Sequence, residues 1–148
     1  MSTNTAYDSI KARLVDQLGS TYAIRDWEEI ETQLQQATDP WIALEDSGGN
    51  EELTSVGTPQ QNWVDDTGYV DVHVFTPSTG SLSVTRTVAD AVRASLRYYH
   101  FTGLPAGETL RVRSVTTPTI GVLHGGLWHS MYVSVEFINR YAVATAAE

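Results

Sequence analysis

Residues 5–19, "TAYDSIKARLVDQLG", place Tyr7, Ile10, Leu14 and Leu18 at spacings of three and four. That spacing is one apolar stripe of a helix over about 5–18. Thr5 and Asp8 fit a capping box at its start, and Gly19 fits a stop at its end. "TYAIRDW" then reads as a short strand. Residues 28–40 suit a helical turn or a loop, closed by Pro40, and "WIALE" reads as the next strand.

The pattern changes period further on. In "GYVDVHVFTP", Val70, Val72 and Val74 share one face, while Tyr69, Asp71, His73 and Phe75 share the other. "STG" at 78–80 makes a turn. "SLSVTRTVADAVRASLRYYHF" returns to helical spacing, with Val84, Val88, Val92 and Leu96 as its stripe, joined by Ala91 and Tyr99. Arg86, Asp90, Arg93 and Arg97 lie on its opposite face, spaced for two Arg–Asp pairs around Asp90. "LPAGETLRVRSV" predicts a turn and a strand with Leu110 and Val112 inward and Arg111 and Arg113 outward. "WHSMYVSVEFI" predicts a last strand, with Met131, Val133, Val135 and Phe137 on one face and Tyr132, Ser134 and Glu136 on the other.

Between the strands at 41 and 69 lies "DSGGNEELTSVGTPQQN". Its Gly, Pro and polar content predicts a long loop at about 46–62, with room for a short hairpin. The order of elements gives an α+β fold: an antiparallel β-sheet with two amphipathic helices packed on one face, in one domain spanning 1–148. Two helices cover one face only. The other carries Asp71, His73, Arg111, Arg113 and Glu136 among aromatic residues, a surface suited to water or to another subunit.

Charge divides along the chain. Residues 1–85 hold 14 acids and 3 bases; residues 86–148 hold 4 acids and 6 bases. No Lys or Arg occurs from Asp26 to Thr85. Such a surface repels nucleic acid. Cys is absent, which excludes disulfides, thiolate metal sites and a Cys nucleophile. Residues 1–10 are polar and lack the basic start of a signal peptide, and no apolar run approaches the roughly 20 residues of a membrane span. The expectation is a chain that stays in the cytoplasm where it is made and contacts no membrane.

"HGGLWHSM" raises the question of chemistry most directly. His124 and His129 are five apart, Gly125 and Gly126 break any helix between them, and no third ligand stands at a metal-site spacing. They read as turn and strand-edge residues beside Trp128. His73 and Asp71 share a strand face and offer an imidazole with a carboxylate, a minimal general-base pair. His100 falls at the end of the second helix, where a cation suits the dipole. Glu28-Glu29, Glu51-Glu52 and Asp65-Asp66 read as surface acids. Phosphate loops and a nucleophile elbow are missing, so no catalytic residue, metal or cofactor is assigned.

The run "PWIAL", then "GYVDVHVFTPSTG" leading directly into "VADAVRASL", then the closing "GLWHSMYVSVEF", resembles the tail terminator proteins of long-tailed bacteriophages and gene transfer agents. The resemblance is in the order of elements over most of residues 5–138. It implies a non-enzymatic structural protein of the virion tail, at the head–tail junction. It also implies assembly into a hexameric ring on the finished tail tube. The implied partners are further copies of itself, the tail tube protein and the head–tail connector protein, with DNA passing through the channel without specific binding. A ring needs different faces to meet. The expected subunit interface sets either the helix face of Arg86, Arg93 and Arg97 or the strand face of Arg111 and Arg113 against acids of a neighbour. Glu51, Glu52 and Trp63, in or beside the polar loop, are the expected contacts to tube or connector. Two alternatives remain open: another head–tail joining or tube protein of similar fold, and a small α+β enzyme or ligand-binding protein using the Asp71/His73 face.

Overall fold

The computed structural model of the chain describes residues 3–30, 39–55, 62–121 and 127–143. Helix α1 (Thr3–Leu18) leads into β1 (Ala23–Asp26) and a single 3₁₀ turn, Trp27–Glu29. β2 (Trp41–Ser55) and β3 (Asn62–Pro77) follow, then α2 (Leu82–Leu96), β4 (Thr109–Val115), the two-residue β5 (Thr119–Ile120) and β6 (Trp128–Val143). The sheet order is β1-β2-β3-β6-β4, with β5 also on β6. The α+β fold with both helices on one face is as expected. β1 is the one departure from antiparallel pairing, running parallel to β2.

Alternation builds the core. Ile42 and Leu44 of β2, Val70, Val72 and Val74 of β3, and Met131, Val133, Val135 and Phe137 of β6 all point to the helices and are fully or almost fully buried. Ala6, Ile10 and Leu14 of α1 and Val88, Ala89, Val92 and Leu96 of α2 close over them. Two ties set α1 against its neighbours. Arg13 donates from Nε to the Ser95 carbonyl at 3.0 Å and lies 3.9 Å over the Tyr99 ring. At the sheet edge, the Tyr7 hydroxyl and Lys11 Nζ both donate to Asp26 Oδ1, Lys11 at 2.9 Å.

The helix α2 stripe is rotated from the expected one. Val84 is exposed, while Thr85 is buried and its hydroxyl meets that of Thr76 on β3. A polar residue is tolerated there because a partner hydroxyl waits across the interface. The helix ends at Leu96, short of the predicted 101. Tyr98 takes a left-handed φ of 56°, and Tyr99 turns back to bond the Leu96 carbonyl. His100 therefore lies beyond the helix, bridged to Arg111. Segment 99–101 covers the outer edge of β4: Phe101 N–H donates to the Leu110 carbonyl, and Val112 N–H to that of Tyr99.

The polar loop expected at 46–62 is largely strand. β2 runs on to Ser55 and pairs with β3 down to Trp63; residues 56–61 lie outside the described residues. The register shifts between Asp46 and Gly49, where Gly48 takes φ 84° and its N–H reaches Asp46 Oδ1. A bulge with glycine at positive φ absorbs the extra residue and lets pairing resume. Sequence composition argued against a strand here, but the long partner β3 supplies the ladder.

Two outcomes test this packing. A Cβ on Gly68 would sit 2.7 Å from Phe137 Cζ and 2.9 Å from the Gly48 carbonyl. Gly68→Ala is therefore expected to destabilise the fold by about 1–3 kcal/mol in denaturant titration, since Phe137 is fully buried and the Gly48 contact is to backbone. Asp26 is held below its usual carboxylate range, first by the Tyr7 hydrogen bond and then by Lys11. A depressed folded value means this contribution is present above the unfolded pKa and is lost as pH falls through the folded one. Melting curves of the wild type should fall below about pH 4, and Asp26→Asn should flatten that acid limb.

Candidate functional site: two charged edges and a half-buried polar cluster

The strand order carries the uneven charge of the sequence to opposite sides of the sheet. At the β1 edge, α1, β1 and the start of β2 enclose a groove of about 600 Å³ lined by Tyr7, Asp8, Lys11, Asp26, Trp27, Glu28, Leu44, Glu45 and Asp46. Five of those side chains are acids against a single lysine. Toward the other edge stand α2 and β4. Arg86 and Arg97 are exposed on α2, and Arg111 and Arg113 on β4; Arg93 is half-buried, and its Nε has no hydrogen-bond partner.

The predicted Arg–Asp pairs around Asp90 are not formed. Among the described residues, no ion pair engages Arg86, Arg93, Arg97 or Arg111. Arg113 differs: its Nε lies 3.3 Å from Glu136 Oε1 within the same chain, and Tyr69 donates to the other oxygen of that carboxylate at 2.7 Å. Its charge is thus already partly answered. Arg140, not singled out by sequence, grips Asp65 through Nε at 2.7 Å and a second nitrogen at 3.0 Å. That hydrogen bonding holds Asp65 below its usual range despite partial burial.

The residues expected at a loop tip sit on the long hairpin instead. Glu51 and Glu52 belong to β2, opposite Asp66 and Asp65 of β3. Glu51 accepts from the Tyr141 hydroxyl, whose proton is held more tightly than usual, by burial first and by that carboxylate second. Trp63 is half-buried on β3 and lies against Gly107, where an added Cβ would be 2.6 Å from the indole. Asp66 is no surface acid. It is 5% exposed on the core side, in register with Asn139.

The sheet face away from the helices is neither bare nor uniform. At the end nearer the start of β6, Trp41 stacks on Phe75 at 4.2 Å and meets Trp128 edge-on at 6.1 Å. Trp27 and Ile30 pack against this second, smaller apolar cluster. Trp128 thus packs the end of the strand, and His129 Nε2 reaches the Gly80 carbonyl at 3.1 Å, as suits turn and edge residues. His124 lies outside the described residues.

Next along that face comes the pair singled out in sequence, now with a third member. Register places Glu45 opposite Asp71, with His73 two residues on. Glu45 Oε1 is 3.4 Å from His73 Nε2, an ion pair when the imidazole is protonated. Trp27 lies over the His73 ring at 4.2 Å, and Tyr132 flanks it at 5.7 Å. Both Asp71 oxygens accept hydroxyl donors, Ser47 at 2.7 Å and Ser134 at 2.6 Å. The three side chains bring one donor atom each to within 4.8 Å of one another. Sequence could pair Asp71 with His73 by parity alone; Glu45 and Trp27 join them only through the β2–β3 register and the fold-back of the 3₁₀ turn.

No family model matches the chain, and no curated protein matches it. Among solved structures, one is similar over 95% of this chain and 97% of its own, with a TM-score of 0.57 and 18% identity. At that identity the likeness shows a shared fold across nearly the full length of both chains.

Proposed function

We propose that this chain is a structural protein of a tailed phage or gene transfer agent, which assembles into a hexameric ring, caps the tail tube, stops its growth and presents the surface that joins the head connector. The observation that carries the reading is the acidic groove at the β1 edge of the sheet, with exposed arginines on β4 at the other edge and on α2, which packs over β3 and β6. Patches arranged so favour head-to-tail contact between copies, and a head-to-tail contact closes into a ring when its rotation allows. The order of elements that resembles the tail terminators supplies the identity of the tube and connector partners.

Within this reading, Arg86 and Arg97 contribute most to the contact, because no acid among the described residues pairs with them. Arg113 contributes least, because Glu136 already does. Rim charges of this kind add about 0.2–1 kcal/mol each and are screened by salt, so their larger roles are orientation and rejection of wrong partners. The β2–β3 hairpin bearing Glu51, Glu52 and Trp63 serves as the axial contact to tube or connector. DNA passes an acidic protein without being held.

The expected result is an annulus by negative-stain imaging, with a light-scattering mass of several chains, for the wild type alone or mixed with tube protein. Arg86→Glu with Arg97→Glu should reduce the assembled fraction severalfold while leaving the melting temperature unchanged. Monomers under both conditions, or rings unaffected by the double reversal, would contradict the proposed contact.

A further inference from the structure

We propose that Glu45, Asp71 and His73 form a binding site for a divalent first-row transition ion of the zinc type. The donor set is two carboxylate oxygens and one imidazole nitrogen, with donor atoms within 4.8 Å of one another. Imidazole suits zinc, nickel, copper and iron; oxygen-only sets suit calcium and magnesium. Three protein donors leave the fourth tetrahedral position to water.

Three features around the trio fit this role. First, Asp71 is oriented from both sides by Ser47 and Ser134, and such outer hydrogen bonds fix a ligating carboxylate. Second, the His73 ring is held between Trp27 and Tyr132, so little freedom is lost when a metal fixes it. Third, Glu45 also lines the groove of about 600 Å³, beside the acids Asp8, Asp26, Glu28 and Asp46 and the single Lys11. Strands β2 and β3 contain no Lys or Arg to neutralise Glu45 and Asp71. On the same row of the sheet, Arg25 of β1 is exposed and, among the described residues, forms no ion pair.

The geometry also says what must move. Two ligands bonded at about 2.0–2.2 Å are separated by less than about 4.4 Å. Glu45 Oε1 and His73 Nε2, 3.4 Å apart, already meet this limit, and any donor pair spaced more widely closes up on binding. Glu45, the most exposed of the Glu45–His73 pair at 36%, is the side chain with room to do so.

The site is independent of the ring reading, and its test is separate from oligomer mass. Zinc chloride is titrated calorimetrically into the full chain, stripped with chelator, near neutral pH; cobalt chloride gives a visible-absorption readout of coordination. The expected result is one saturable site per chain, with no comparable heat from calcium or magnesium chloride. Glu45→Gln and His73→Gln should each abolish it, Ser134→Ala should weaken it by about tenfold or more, and His129→Ala should leave it intact. Circular dichroism of each metal-free variant checks folding. Should His73→Gln fail to fold, Glu45→Gln, at the more exposed position, still decides the matter. Absence of saturable binding, or binding unchanged in Glu45→Gln, would overturn the proposal.

Discussion

Sixteen consecutive residue pairs join β3 to β6, from Asn62 with Val143 to Pro77 with Trp128, without one register shift. Because side chains alternate, slipping one strand of this ladder by one residue would turn all its side chains to the other face. Either Val70, Val72 and Val74 of β3 or Met131, Val133, Val135 and Phe137 of β6 would leave the core. At about 1.5–3 kcal/mol per apolar side chain, that cost is comparable to the roughly 5–15 kcal/mol by which a whole domain is stable. The register is therefore fixed by the core, and everything on the opposite face is fixed with it. Glu45, Asp71, His73 and Ser134 meet because their neighbours one residue away are buried under α1 and α2.

The same ladder sets what the edges display. Its two central strands keep β2 and β1 on one side and β4 on the other. A chain whose acids concentrate in its first half and whose arginines concentrate in its second thereby carries an acidic groove at the β1 edge, with Arg25 on that strand, and Arg111 and Arg113 on β4 at the other edge. Along the sequence the uneven charge has no direction, and the topology gives it one. Ion pairs such as Arg140–Asp65 and Arg113–Glu136 consume part of the basic side. Arg86 and Arg97 form no ion pair among the described residues.

Much of the fold was legible because its signals are local. The α1 stripe and the alternation in 69–75 and 131–137 need only one segment each to be read. What was missed depends on partners. Residues 46–55 are rich in Gly, Asn and acids, poor strand formers, and become a strand because β3 offers them a ladder. Thr85 replaces Val84 at the α2 interface because Thr76 is there to bond it. The helix end at Tyr98 carries no glycine to announce it. At the site, Asp71 and His73 are two apart on one strand, so parity alone unites them. Glu45 is 26 positions before Asp71 and joins only through a register that includes the Gly48 bulge nearby.

In the proposed ring, exposed residues meet other molecules, while the half-buried polar cluster lies beneath Trp27. Image reconstruction of the chain mixed with the proposed tail-tube partner tests this most directly. The expected result is a single annulus at the tube end, in which the α2 arginines of each subunit face the acidic β1-edge groove of the next. Isolated chains scattered along the tube, or a ring whose contacts leave both edges in solvent, would contradict it.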